Sequence, residues 1–287
     1  MRINHNISSM VTQASLFRTN RDLSKSLERL STGIRINRAS DDAAGLSVSE
    51  QLRTQVRGIA MAKRNAMDGQ SLLQIAEGAA HEISGMLQRM RELAVQASND
   101  TLTSTERGYL NVEYRALQDE IDRIADATQY NTLCLINGDT AGFGTTGGGT
   151  CILHIGPNNS STVDQIQVTI DAVDTDSIGV SSGGTDDSNI TTSSYALGAV
   201  TSVDTAINSI NNMRSDLGAY VNRLEYTIDN LDNQSSNMQT AESVIRDVDF
   251  AYETTEYTKN QILVQSATAM LAQSNTLPQS VLTLVQG

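Results

Sequence analysis

Apolar side chains recur in a four-three rhythm over most of this chain, and that rhythm limits the possible folds more than any other feature. A first stripe consists of Leu72, Ala76, Ala79, Ile83, Met86, Met90, Leu93 and Ala97. After a polar interruption at 100–105, a second stripe consists of Leu110, Tyr114, Leu117, Ile121, Ile124 and Thr128. Apolar positions at this spacing line one face of a helix that packs against another helix. The pattern therefore predicts two long antiparallel helices joined by a short loop.

The rhythm returns nearer the C-terminus and predicts a third long helix. Its apolar positions are Leu217, Val221, Leu224, Ile228, Leu231, Ser235, Met238 and Ile245. Aromatic residues make up 4% of the chain and Trp is absent, so these helices must pack through small and aliphatic side chains. The expected fold class is mainly α, built from long coiled-coil helical rods.

Both chain ends carry amphipathic stripes of their own. The N-terminal stripe comprises Ile3, Ile7, Met10, Ala14, Phe17, Leu23, Leu27, Leu30 and Ile34. The C-terminal stripe comprises Leu263, Ala267, Met270, Ser274, Leu277, Val281 and Leu284, and Pro278 is expected to distort or restart that helix. A single amphipathic helix is marginal in water. The two ends must therefore pair with each other or with the ends of neighbouring copies, and we expect both to be poorly ordered in a free monomer.

The middle of the chain departs from the helical pattern. From 137 to 200, Gly, Ser, Thr and Asp dominate, and β-type runs appear in CILHIG and QIQVTIDAV. These runs predict a small β-hairpin region. The expected organisation is a rod formed by 41–136 and 201–250, a variable exposed region at 137–200, and terminal segments at 1–40 and 251–287.

Charge and chemistry exclude several function classes. The net charge is −13, and there is no Lys or Arg between Arg123 and Arg214, so nucleic-acid binding through phosphates is not expected there. No apolar run is long enough for membrane insertion, and MRINHNISSMVTQ lacks the features of a cleaved signal peptide. These features fit a cytoplasmic protein or an export route without a cleaved signal.

The chain offers no convergent set of reactive groups. His5, His81 and His154 are widely separated in the sequence. The pair His81-Glu82 resembles the start of a zinc-protease motif, but Gly85 stands where the second zinc ligand would be. We therefore predict no catalytic residue, no cofactor and no metal, and we do not expect an enzyme.

Long blocks of the sequence resemble the bacterial flagellins. The most characteristic block is LSKSLERLSTGIRINRASDDAAGLSVSEQLRTQVRG at 23–58, and DGQSLLQIAEGA follows at 68–79. QRMRELAVQASND, DEIDRIADATQYN and ILVQSATAMLAQSNTLPQSVLTLVQ continue the resemblance in the family's order up to residue 286. Only the centre, about 137–200, lies outside it. The alternative interpretation is a hook–filament junction protein, since such proteins share the terminal sequence features of flagellins.

The resemblance implies a filament subunit that polymerises through terminal helices, which form an inner core. It implies export through the flagellar apparatus with a chaperone, an extracellular filament, and contact with hook-associated junction and cap proteins. Polymerisation residues would include Leu23, Leu27, Leu30, Leu263, Met270, Leu277, Val281 and Leu284. A host Toll-like receptor that senses flagellin would contact Arg89, Leu93 and Glu113, unless Leu93 is simply core and Arg89 a filament contact.

Two further expectations concern the centre of the chain. Cys134 and Cys151 lie in the runs LCLI and CILHI, which we interpret as neighbouring strands. In an oxidising exterior they would form a cross-strand disulfide, although two free thiols are an equal alternative. The Ser/Thr-rich run at 181–194 is either a solvated loop or a site of O-linked sugars, as on some related flagellins.

Overall fold

A computed structural model of the chain describes residues 6–138, 150–181 and 189–286, with side chains up to residue 276. Within these ranges the helices are α1 (Ile7–Thr32), α2 (Ala43–Ala97), α3 (Ser104–Ala127), α4 (Ser193–Arg246) and α5 (Phe250–Gln286). The strands are β1 (Gln129–Tyr130), β2 (Leu133–Cys134), β3 (Thr150–His154) and β4 (Gln165–Thr169). The prediction of long helices with a small β-hairpin region is confirmed.

The chain divides into two compact units. The terminal unit combines Met1–Val56 with Ser236–Gly287, and the rod unit consists of Arg57–Ser235. The long helices α2 and α4 each contribute to both units. No helix of the described residues has an apolar stretch long enough to cross a membrane.

In the rod unit, the buried positions of α2 follow the heptad rhythm but cover a broader face than the predicted stripe. From Leu73 onward, the residues with no exposed surface are Leu73, Ala76, Ala80, Ile83, Leu87, Met90, Ala94 and Ala97. Half of the predicted stripe belongs to this set, and the rest is buried or packs against its edge. The face is broad because α2 has a neighbour on each side: Arg89 pairs with Glu113 of α3, and Arg91 pairs with Asp204 of α4.

Helix α4 begins earlier than the sequence analysis expects. We predicted a non-helical region up to residue 200, whereas α4 starts at Ser193. Its buried residues keep the heptad rhythm from the first turn, and they are Ala196, Ala199, Val203, Ala206, Ile210, Met213, Leu217, Leu224 and Leu231. The first four are small, so this part of the stripe is easily mistaken for the Gly/Ser/Thr-rich region beside it.

Polar side chains occupy core positions of α3 and hold the backbone of a later segment. Buried Asn111 accepts a hydrogen bond from the Ile190 backbone N–H at 3.0 Å. Buried Gln118 donates to the Val180 carbonyl at 2.5 Å. Asp122 accepts from the backbone N–H of Thr175 at 2.8 Å. Buried polar groups need hydrogen-bond partners, and the backbone of this later segment supplies them.

Two hairpins follow α3. Strands β1 and β2 are joined by a tight turn in which Asn131 and Thr132 both have positive φ, at 49° and 67°. Two successive positive φ values are typical of the type I′ turn, whose twist matches a hairpin. Strands β3 and β4 are antiparallel, and the β3 backbone is tied to α2 by a hydrogen bond from Asn65 to the His154 carbonyl at 3.0 Å. The predicted runs CILHIG and QIQVTIDAV therefore do form a hairpin.

Helix α5 runs through Pro278 without interruption, so the helix does not restart there as one of the two expected outcomes required. A proline removes one N–H from the hydrogen-bond ladder, and the other bonds of this 37-residue helix continue on both sides of it. Residues 182–188 of the Ser/Thr-rich run lie outside the described residues. The presence of O-linked sugars on this run therefore remains a prediction.

Candidate polymerisation surface of the terminal helices

Helices α1 and α5 pack against each other along a seam that mixes small and polar side chains with leucine and valine. On α1 the seam comprises Ser9, Thr12, Leu16, Thr19, Leu23, Ser26 and Leu30, each buried or partly buried. On α5 it comprises Glu253, Tyr257, Asn260, Val264, Ala267, Leu271 and Ser274. Both sets keep the four-three spacing of a coiled coil. Of the two pairings left open by the sequence, the structure contains the one between the two ends of the same chain.

Polar contacts fix the direction of this seam as antiparallel. At one end, Asn6 donates to the Ser274 carbonyl at 2.9 Å, and the hydroxyls of Ser8 and Ser274 lie 2.8 Å apart. At the other end, the Arg29 guanidinium lies 3.4 Å from the Glu253 carboxylate, which is 4% exposed. Helix α1 is thus joined to α5 near both of its own ends, and the contacts on α5 lie at Glu253 and Ser274.

Several large apolar side chains of both helices lie outside the seam and are exposed. On α1, five large apolar side chains are between 55% and 68% exposed, and they are Ile7, Met10, Val11, Phe17 and Leu27. On α5, among the described side chains beyond its first turn, three are between 45% and 62% exposed, and they are Ile262, Leu263 and Met270. We call these eight residues the outer apolar face. Exposed apolar patches normally mark interaction sites.

The predicted polymerisation residues fall into three groups. Leu23 and Leu30 lie in the seam and are partly buried within the chain. Leu27, Leu263 and Met270 belong to the outer apolar face. The side chains of Leu277, Val281 and Leu284 lie outside the described residues. Sequence reasoning missed Val11 and Ile262, although each stands directly beside a member of the predicted stripe.

The connection between α1 and α2 is organised by acidic side chains. Helix α1 ends at Gly33, whose φ of 72° is the left-handed conformation that favours glycine. Asp41 accepts hydrogen bonds from the backbone N–H groups of Asn37 and Arg38 and pairs with Lys25 at 2.7 Å. Asp42 accepts from the Gly45 N–H at 2.9 Å and so caps the start of α2. Of these two aspartates, only Asp42 caps a helix.

The Asp41 contacts predict an acid-sensitive connection. The hydrogen bond to Lys25, together with those from Arg38 and Asn37, holds the pKa of Asp41 below its usual value, although desolvation opposes the shift. An acid with a lowered folded pKa stabilises the fold above its unfolded pKa, and this stabilisation disappears as the pH falls through the folded value. We expect Asp41→Asn to speed amide exchange at Arg38 by roughly tenfold at neutral pH, since bonds to charged groups contribute about 1.5–3 kcal/mol.

The difference between wild type and Asp41→Asn should shrink as the pH falls below about 4. Asp42→Asn is the matched control, because an asparagine can still cap α2. Equal exchange rates at Arg38 in wild type and Asp41→Asn at neutral pH would contradict this role of Asp41.

Comparison with known proteins agrees with this arrangement. The model for the bacterial flagellin N-terminal helical region matches residues 3–141, and that for the bacterial flagellin C-terminal helical region matches residues 200–285. The chain is 45% identical to flagellin FlaB2 of Treponema pallidum (strain Nichols) over 290 residues, covering all of both chains. The chain belongs to the bacterial flagellin family. It is therefore a structural subunit of a flagellar filament that polymerises through its terminal helices.

Other relatives also match this flagellin over their full length. It is 46% identical to the flagellar filament 33 kDa core protein of Treponema phagedenis and 45% identical to the flagellin of Halalkalibacterium halodurans, in each case over all of both chains. Among solved structures, Bacillus cereus flagellin is 31% identical with a TM-score of 0.49, and the match covers 62% of this chain and 94% of that one.

The residues that the resemblance assigns to a host receptor lie together in this flagellin. The Arg89 guanidinium pairs with Glu113 and with Glu92, each at 2.9 Å, and the first of these contacts contributes most to raising the Arg89 pKa. Leu93 is 1% exposed and belongs to the core. Arg89 and Glu113 therefore form the accessible part of this group.

The cysteines of this flagellin do not lie on neighbouring strands, so that interpretation is wrong. Cys134 pairs with Gln129 in the first hairpin, and Cys151 pairs with Val168 in the second. Both are free thiols, and burial raises the pKa of Cys151. The error arose because adjacency in sequence was taken for adjacency in one sheet. Among the described residues, no cluster of His, Cys, Asp or Glu could hold a metal ion.

Proposed function

We propose that the outer apolar face is the surface through which neighbouring copies meet in the filament. The observation that carries this proposal is that α1 and α5 pack together through one face and leave other large apolar side chains exposed. The seam within one chain uses Ser, Thr and Asn among its Leu and Val residues, whereas Phe17, Met10 and Met270 remain exposed. On this proposal, the terminal segments 1–40 and 251–287 form the inner core, and 41–136 with 201–250 form the surrounding rods.

Energetic reasoning supports an assembly role for this face. Burial of a large apolar side chain contributes about 1.5–3 kcal/mol, and the outer apolar face holds eight of them. Only part of that free energy appears as affinity, because association also costs translational and side-chain freedom. The remainder favours contact between copies. A contact between unlike surfaces can propagate into an open helical filament when its rotation does not close a ring.

Hydroxyl-radical footprinting tests the proposal. Phe17, Met10 and Met270 should be oxidised in the monomer and at least tenfold less reactive in the filament, because neighbouring copies would cover them. Tyr114, which is fully buried in the rod unit, should be unreactive in both states and serves as the control. Equal oxidation of Phe17 and Met270 in monomer and filament would exclude the outer apolar face as the contact surface.

The export, junction and cap partners, and the extracellular location, are proposed on the same grounds. We infer that the subunit leaves the cell through the flagellar export apparatus with a dedicated chaperone, and that the extracellular filament is bounded by hook-associated junction and cap proteins. An exposed amphipathic α5 in the monomer is the kind of segment that a chaperone would cover. Co-purification of the monomer with such a chaperone, lost on removal of α5, is the expected result, and binding that survives this removal would contradict it.

Recognition by a flagellin-sensing Toll-like receptor is a second, host-side proposal. Arg89 and Glu113 are both about half exposed and offer a paired charge on the α2–α3 surface. We expect Arg89→Ala to weaken activation of that receptor by the monomer at least tenfold. Activation unchanged by Arg89→Ala would remove this assignment.

A further inference from the structure

Three ion pairs connect α2 with α4 along the rod unit. Lys63 pairs with Asp232 at 2.7 Å, Glu77 with Arg214 at 3.1 Å, and Arg91 with Asp204 at 2.5 Å. The α4 numbers fall as the α2 numbers rise, so the helices are antiparallel at all three points. We call these three pairs the ion-pair ladder.

The signs of the ion-pair ladder alternate. Along α2 the order is positive at Lys63, negative at Glu77 and positive at Arg91, and the α4 partners have the opposite signs. The three α2 residues are fourteen apart, which is two heptads, so they occupy the same heptad position. In coiled coils, charges beside the apolar seam are the residues that select partner and orientation.

The apolar seam of these helices combines small and large side chains. Its small members on α2 and α4 are Ala66, Ala76, Ala80, Ala94, Ala97, Ala196, Ala199 and Ala206. At seven-residue intervals along α2, the small Ala66, Ala80 and Ala94 alternate with the large Leu73 and Leu87, so a shift of one heptad exchanges small for large side chains. The ion-pair ladder adds a second distinction between the native register and a shifted one.

A shift of one heptad removes most of the ion-pair ladder in either direction. If α4 shifts by seven residues in one direction, Lys63 would face Gln239, Glu77 would face Val221 and Arg91 would face Asn211. If it shifts in the other direction, Lys63 would face Glu225, Glu77 would face Ile207 and Arg91 would face Leu197. The first shift keeps none of the three pairs and the second keeps one. Each shifted register also places a charged side chain against an apolar one.

We propose that the ion-pair ladder is a set of positioning residues that selects one register of α2 against α4. The side chains are between 31% and 52% exposed, so each pair alone adds little to stability. Their effect lies in the difference between competing registers, which is how charge patterns give specificity. When the register is fixed, every copy presents the same side chains at the same positions along the rod.

Distances between spin labels can test this proposal in the full-length chain. Cys134 and Cys151 are first replaced by serine, and labels are attached to cysteines introduced at exposed Gln74 on α2 and exposed Thr201 on α4. These sites are far apart along the rod, so a shift of one heptad changes their separation by about 10 Å. Double electron–electron resonance then reports the register directly. The doubly labelled protein with an intact ion-pair ladder should give a single, narrow distribution of label distances.

The decisive variants reverse the charges on one helix or on both. Lys63→Glu, Glu77→Arg and Arg91→Glu together place like charges opposite each other and should abolish the single native distance. Adding Asp232→Lys, Arg214→Glu and Asp204→Arg restores alternating pairs and the original net charge, and should restore that distance. The neutral set Lys63→Gln, Glu77→Gln and Arg91→Gln removes attraction without adding repulsion, and should show a second distance in at least a tenth of the molecules.

Glu82→Arg is the control, because it reverses an exposed α2 charge outside the ion-pair ladder. It should keep the single native distance. The proposal is overturned if the one-helix reversal and the neutral set both keep that distance, or if the two-helix reversal fails to restore it. Unfolding of the one-helix reversal, with folding and distance recovered by the two-helix reversal, supports it.

Discussion

Replacing Phe17 by aspartate is expected to raise the critical concentration for polymerisation by about 100-fold, which corresponds to about 2.7 kcal/mol per added subunit. Phe17 is 68% exposed on α1, so aspartate costs little in the free chain. In the filament, a neighbouring copy would bury the same position, and burial of an unpaired charge is strongly unfavourable. Sedimentation of polymer grown from sheared filament seeds over a range of subunit concentrations measures the effect.

The conservative variant Phe17→Leu is the matched control and should polymerise within about tenfold of the wild type, since it keeps an apolar contact. Thermal unfolding of the rod unit should be the same in all three proteins, because Phe17 lies outside that unit. Polymerisation of Phe17→Asp at the wild-type critical concentration would show that this part of the outer apolar face is not a contact.

The second large effect is expected in the core of the rod unit. Leu87 is fully buried on α2, and Leu87→Ala should lower the free energy of unfolding by about 3 kcal/mol through lost apolar contacts and a residual cavity. For a unit of this size the melting temperature should fall by about 8 °C. Circular dichroism during thermal unfolding gives both values.

Leu197→Ala provides the control with the same chemical change at a side chain that is 60% exposed. It should change the unfolding free energy by less than about 0.5 kcal/mol. Equal effects of the two substitutions would mean that the heptad seam is not the stabilising core of the rod unit.

The heptad rhythm predicts where the long helices lie because it depends only on local spacing. The loop between α2 and α3 and the burial of Leu217, Leu224 and Leu231 all follow from it. The exact buried face is harder to predict. On α1 the strongest apolar stripe, with Met10 and Phe17, turns outward, because the single chain buries a Ser/Thr/Leu seam instead. A stripe in sequence identifies a surface to be covered but not the partner that covers it.

Long-range contacts by polar side chains could not be predicted from spacing. Asn111 and Gln118 occupy heptad core positions where an apolar residue is normal, and their backbone partners lie 79 and 62 residues away. The same limit explains the error over Cys134 and Cys151, since strand pairing depends on topology. The ion-pair ladder was missed for that reason too, because its charges pair across more than a hundred residues.

Electron microscopy of purified intact chain and of a chain lacking residues 263–287, each after addition of filament seeds or salt, tests polymerisation through the terminal helices most directly. The truncation removes most of α5, including Leu263 and Met270. We expect long uniform filaments from the intact chain and none from the truncated one. Filaments from the truncated chain, or only monomers and short caps from the intact chain, would contradict the account, and the second outcome would favour a hook–filament junction protein.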